Sequence, residues 1–119
     1  EKAMQSITSH KDDSIVLKVD NEYRSISISK ILYCEAEDKY QRLYLENGER
    51  LLVRITGTEL YKQLSEFDCF YRCGRAHIVN LNHISKVSQN GAVFKDGVQL
   101  SLPRTVLADL RKAFFDYFD

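Results

Sequence analysis

The sequence predicts a mostly β domain, and three observations carry that prediction. Apolar residues alternate with period two over short stretches, as at Ile15, Leu17 and Val19, or at Leu51, Val53 and Ile55. Turn-forming dipeptides separate these stretches: Asp20-Asn21, Asn47-Gly48, Asn90-Gly91 and Asp96-Gly97. Helical spacing of apolar residues occurs only around 58–64 and 104–117, which allows one or two short helices. With 119 residues, 44% of them hydrophobic and a single proline, the chain forms one domain with a core of its own.

Residues 1–13 are polar and aperiodic, and read as a linker or expression remnant; the domain proper spans 14–119. The first strand runs to Val19, turns at Asp20-Asn21 and returns through Tyr23, Ser25 and Ser27. Ser29 to Ile31 is a bend or a turn of 3₁₀ helix. In the next strand Leu32, Cys34 and Ala36 share one face, and Tyr33, Glu35 and Glu37 the other. Asp38-Lys39 is a polar loop, after which Leu43 and Leu45 point inward. Asn47-Gly48 suits the positive φ angles of a type I′ turn into a strand over 49–55. Thr58 is the expected N-cap of a helix carrying Leu60, Tyr61 and Leu64.

The stretch Phe70 to Ile84 follows, with Gly74-Arg75 at a loop tip on an apolar frame. Strands at 84–88, 92–94 and 98–102 then form a meander. Pro103 precedes a final helix whose stripe is Val106, Leu107, Leu110, Ala113, Phe114 and Tyr117.

Formal net charge is zero, which counts against a uniformly basic nucleic-acid binder. The distribution is uneven, however. The run Cys69 to Lys95 contains no acid but holds Arg72, Arg75, Lys86 and Lys95, while Asp12, Asp13, Asp20, Glu22 and Asp116 lie toward the chain ends. No apolar run approaches the roughly 20 residues of a bilayer span, and three cysteines, an odd number, suit a reducing cytoplasm.

Cys69, Cys73, His77 and His83 are close in sequence, but an extended chain separates Cys69 from Cys73 by roughly 13 Å, too far for one zinc ion or a disulfide. No metal site and no cofactor site is expected. Glu35 and Glu37 share a strand face without a third group to make them catalytic, and no nucleophile elbow or glycine-rich phosphate loop occurs, so no enzymatic activity is expected. Basic and amide side chains do recur at three breaks between elements: Lys39-Tyr40-Gln41-Arg42, Gly74-Arg75 and Pro103-Arg104. These side chains reach phosphate oxygens and base edges. The competing reading is a β-rich module for a protein or ligand, using Tyr33, Tyr40 and Tyr44.

The order of a Leu-Tyr-Cys-Glu-Ala strand, a charged hairpin, the segment Phe-Tyr-Arg-Cys-Gly-Arg-Ala-His-Ile-Val-Asn-Leu and a final Leu-Pro-Arg resembles the LytTR family of DNA-binding domains in bacterial response regulators. The similarity runs from about Ile15 to Tyr117. It implies an elongated, multi-sheet fold whose loops enter the major groove of double-stranded DNA. Its DNA contacts would fall on Lys39, Gln41, Arg75 and Arg104, with Asn80 holding a turn. It further implies a cytoplasmic output domain that dimerises on promoter repeats, with a receiver domain upstream. Gly74-Arg75-Ala76 stands where the family commonly has His-Arg-Ser, and Pro103 where it commonly has serine. Both changes bear on base preference. Cys73 coincides with a position that is redox-active in some relatives, and is expected here to be a packed thiol.

Overall fold

A computed structural model describes residues 13–118, so all of the expected linker except Asp13 lies outside the described residues. The chain runs through β1 (Ser14–Val19), β2 (Glu22–Ser27), β3 (Ile31–Glu37), β4 (Tyr40–Leu45), β5 (Arg50–Val53) and α1 (Gly57–Leu64). It continues through β6 (Phe70–Cys73), β7 (His77–Asn80), β8 (Ile84–Val87), β9 (Gly91–Phe94), β10 (Gln99–Ser101) and α2 (Arg104–Phe118). Three antiparallel sheets result: a β1-β2 ribbon, a central β5-β4-β3-β7-β6 sheet and a β10-β9-β8 meander. The molecule extends 44 × 36 × 24 Å, which agrees with the elongated, mostly β architecture expected.

The central sheet is buried on both faces, and period two sorts its residues between two cores. One face contributes Cys34, Leu43, Leu45, Leu51, Val53, Phe70 and Ile78, covered by the β1-β2 ribbon and by Leu60 and Leu64 of α1. The other contributes Tyr33, Cys73 and Val79, covered by Phe94 and Leu100 of the meander and Leu107 and Leu110 of α2. Tyr33 stacks on Tyr44 at 4.3 Å and on Phe94 at 5.4 Å, joining sheet to meander. The expected grouping of Leu32 with Cys34 and Ala36 does not hold. A register shift between Ile31 and Tyr33 puts Leu32 into the same core as Tyr33, and Ala36 is exposed where the strand leaves the core.

The turns follow local chemistry with three corrections. Asp20 and Asn21, with φ of 52° and 68°, form the type I′ pattern between β1 and β2. Asn47-Gly48 does not: only Gly48 has positive φ, its N–H donates to Leu45 O, and Leu45 N–H donates to Glu49 O. That is a three-residue loop with a glycine bulge, which Asp96-Gly97 repeats through Gly97 N–H to Phe94 O and Phe94 N–H to Val98 O. Gly91 lies in β9 rather than in a turn. A Cβ there would come within 1.9 Å of Leu100 O, so glycine is required by the close approach of β10. The N-cap of α1 is Thr56 rather than Thr58. Its Oγ1 accepts from Glu59 N–H at 3.0 Å and donates to Glu59 Oε1 at 3.3 Å, a reciprocal cap.

Asn80 carries the turn role expected of it and also a longer-range one. Its Oδ1 accepts from Asn82 N–H at 3.0 Å, opening the 3₁₀ turn Leu81–His83. Its Nδ2 donates to Ile31 O at 3.0 Å and to Ile28 O at 3.4 Å, tying β7 to the start of β3. The side chain is 1% exposed, so water cannot replace these partners. Asn80→Ala is expected to lower stability by about 2–3 kcal/mol, read from the midpoint of a urea titration; an unchanged midpoint would contradict the role.

The three cysteines are free thiols, and burial pushes Cys73 up to about 11 and Cys34 further still. Burial, aided by Asp68, also raises Cys69 to about 11. Cys73 is accordingly a packed thiol. Native-state alkylation of Cys73 at pH 8 should run at least about 100-fold slower than in denaturant, because the reactive thiolate is scarce. Equal rates, measured by mass spectrometry of the modified peptide, would show a reactive rather than a packed group.

Candidate nucleic-acid interface

Two of the three basic breaks seen in the sequence line one cleft at an end of the central sheet, and the third lies beside the helix turn that touches Gly74. Strand β3 ends at Glu37 and turns through Asp38-Lys39 into β4, with Asp38 at φ 56°. The pairing of Glu35 with His77 sets the start of β7, and hence the β6-β7 turn Gly74-Arg75-Ala76, beside the Asp38-Lys39 turn. A hydrogen bond from Ala36 N–H to Ala76 O at 2.7 Å extends that pairing toward the tips. Gly74 takes a φ of 69°, and a Cβ there would stand 3.3 Å from Val106 Cγ2 in the first turn of α2. Arg104 opens that same turn, its start held by Val106 and Leu107 N–H groups donating to Pro103 O. Arg75 and Arg104 are therefore brought to the same region through the Gly74–Val106 contact.

Lys39, Arg75 and Arg104 are exposed, and among the described residues none has a carboxylate partner. Two of the nearby acids are held elsewhere, while Asp38 adjoins Lys39 in the same turn. Glu37 accepts from Arg42 Nε at 2.7 Å. Glu35 bridges His77 Nε2 and Tyr44 Oη, each at 3.2 Å. These two carboxylates, which share a strand face, thus hold separate structural partners. Tyr44 also lies under the Arg50 guanidinium at 5.3 Å. Glu37 is ion-paired and Glu35 hydrogen-bonded within the sheet, whereas Lys39, Arg75 and Arg104 have no carboxylate partner among the described residues.

Gln41 is placed differently from the other three. It is the second residue of β4, not a loop residue, and it is 5% exposed. Pairing with Ala36 and Val53 puts it on the same sheet face as Leu43 and Leu45. Its side chain forms the wall of a cleft of about 510 Å³ that Lys39, Arg54, Gly57, Arg72 and Arg75 also line, together with the carboxylates of Asp38 and Glu59. Among the described residues the Gln41 carboxamide has no hydrogen-bond partner.

Arg72 and Gly57 were not singled out as site residues from the sequence. Arg72 lies two residues after Phe70 on β6, which aims it at the face Phe70 buries; an inward arginine was the available signal. Its Nη1 donates to Thr58 Oγ1 at 3.3 Å, which fixes the guanidinium over the first turn of α1. Arg54 follows β5 and depends on the hairpin's exit, which sequence spacing does not give. Among the described residues, no group of three or more His, Cys, Asp or Glu side chains could hold a metal ion, and no helix is long and apolar enough to cross a membrane.

Comparison with known proteins bears on the fold and the family. A response regulatory protein of Vibrio cholerae, itself uncharacterised, is 33% identical over an alignment covering 71% of this chain and 35% of its own length. The chain thus spans about a third of that relative. The LytTr DNA-binding domain of a Bacillus cereus response regulator superposes with a TM-score of 0.67, covering 86% of this chain and 96% of that one at 23% identity, and shares the fold. The family of LytTr DNA-binding domains matches residues 21–115, which takes in the central sheet, both turns of the basic end and most of α2; the chain belongs to the LytTR family.

Proposed function

We propose that this domain binds double-stranded DNA sequence-specifically, through Lys39, Arg75 and Arg104 at the basic end, with Gln41 contributing from the cleft between them. The observation that carries the reading is the convergence of three turns bearing cations without acidic partners at one end of a chain with zero net charge. Arginine presented at a turn can fork onto guanine in the major groove, and lysine can neutralise phosphate. Arg75 projects from a turn that β3, β7 and α2 brace, so little ordering cost attends its use. The full protein is then a cytoplasmic transcriptional response regulator, with an upstream receiver whose phosphorylation promotes dimerisation on repeated half-sites. No catalytic step belongs to this domain.

The reading as a ligand module keeps only Tyr40 of its aromatic set, exposed beside Leu52 and Arg54. Tyr33 and Tyr44 spend their faces on each other and on Phe94, and Tyr33 is 6% exposed.

Arg75→Ala and Arg104→Ala are each expected to weaken binding to a repeat-containing promoter duplex by about 1–3 kcal/mol, and to reduce discrimination against a scrambled duplex. Fluorescence anisotropy with both duplexes decides it; wild-type affinity and discrimination in both variants would overturn the assignment. Lys39→Ala should instead weaken both duplexes alike. It should also lower the slope of log affinity against log salt by about 1, since one phosphate contact is lost. An unchanged slope would remove Lys39 from the backbone contacts.

A further inference from the structure

We infer that the cleft above the first turn of α1 is a seat for one DNA backbone phosphate, with Gln41 and Arg72 as its side-chain ligands; this rests on the DNA-binding reading and gives Gln41 a role other than reading bases. Three independent features meet there. The first is the helix start. Thr56 caps Glu59 N–H, and among the described residues the N–H groups of Gly57 and Thr58 have no partner. Free amides at a helix N-terminus attract an anion.

The second is Gln41, a side chain that keeps only 5% of its surface exposed, lines the cleft and has no hydrogen-bond partner among the described residues. Its Nε2 stands 3.4 Å from the point a Cβ on Gly57 would occupy, so it is aimed at the helix start. The third is Arg72. Its Nη2 stands 3.1 Å from that same point, its Nη1 is anchored on Thr58 Oγ1, and it has no carboxylate partner among the described residues. Amide and guanidinium donors thus converge over Gly57, beside the free N–H groups of the helix start. An acceptor with several oxygens satisfies them together, as a phosphate does.

Position and charge favour the DNA backbone as its source. The cleft lies between Lys39 and Arg75, the turns proposed to meet the duplex, so a phosphate seated in it flanks the bases those turns approach. Asp38 and Glu59 line the same cleft and oppose an anion there, against the four cations Lys39, Arg54, Arg72 and Arg75. The seat would position the domain without reading sequence.

The test begins with inorganic phosphate titrated into the ¹⁵N-labelled domain. The Gln41 side-chain amide and the Gly57 and Thr58 backbone signals should shift saturably, and the response should vanish in Gln41→Met and Arg72→Met. Gly57→Ala, whose Cβ would crowd Arg72 Nη2 at 3.1 Å and Gln41 Nε2 at 3.4 Å and so shift both donors, serves as a second variant should Arg72→Met fail to fold. No saturable response in the wild type would overturn the seat even if the domain binds DNA normally. With duplex DNA, Gln41→Met should weaken cognate and scrambled sequences by the same factor, about tenfold, corresponding to the loss of a hydrogen bond to a charged group. A change in base preference would make Gln41 a base reader and overturn the proposal. A methylphosphonate scan should find one position whose neutralisation weakens wild type but not Arg72→Met. Absence of such a position, or failure of DNA to compete with bound phosphate, would overturn the assignment to the backbone.

Discussion

The antiparallel pairing of β3 with β7 is the constraint on which the rest of the domain depends. It joins Tyr33 to Val79, Cys34 to Ile78 and Glu35 to His77, residues more than forty positions apart in sequence. Without it the β3-β4-β5 hairpins and the β6-β7 hairpin would be separate ribbons, each too small to hold a core. With it they become one sheet with two buried faces, and α1 and α2 have something to cover. Asn80 reinforces the junction from inside, where its amide spans from β7 to Ile31.

The same pairing determines what the sheet presents at its end. It aligns the Asp38-Lys39 turn with the Gly74-Arg75 turn, and Gly74 in turn rests on α2 near Arg104. A neutral protein can present a positive surface only if its acids are answered elsewhere. Here Glu37 answers Arg42, and Glu35 answers His77 and Tyr44, on the sheet face away from the cleft. The Gln41 amide and the cations without carboxylate partners among the described residues are groups that a polyanionic partner would engage. The fold and the candidate interface are thus two consequences of one register.

Much of this was legible in the residues. Period two in Ile15, Leu17 and Val19 gave β1 and its inward face, and the stripe from Val106 to Tyr117 gave the covered side of α2. The LytTR resemblance, with its expected multi-sheet fold, rested on the segment around Arg72 and Arg75 and agrees with the family match. What failed did so for local geometric reasons. Asn47-Gly48 is compatible with two loop types, and the three-residue loop prevailed, whereas Asp20-Asn21 makes the type I′ turn without a glycine. Leu32 changed cores because a bulge is one extra residue, which alternation cannot foresee. Gly91 reads as a turn residue in isolation, and its real constraint is a strand that arrives ten residues later. Lys39, Arg75 and Arg104 were candidates because cations at breaks are visible in sequence and the resemblance picked out these positions, and the structure exposes all three. Gln41 lay in plain phase with Leu43 and Leu45, but its burial beside Arg72 and Gly57 depends on contacts made across the sheet.

Whether one end of the central sheet meets DNA can be read from amide chemical-shift mapping of the domain on titration with a duplex. Perturbations are expected to be confined to the turns at 38–39 and 74–76 and to the first turns of α1 and α2. Perturbations centred instead on the outer face of the β1-β2 ribbon, around the exposed Val16 and Tyr23, would contradict that expectation.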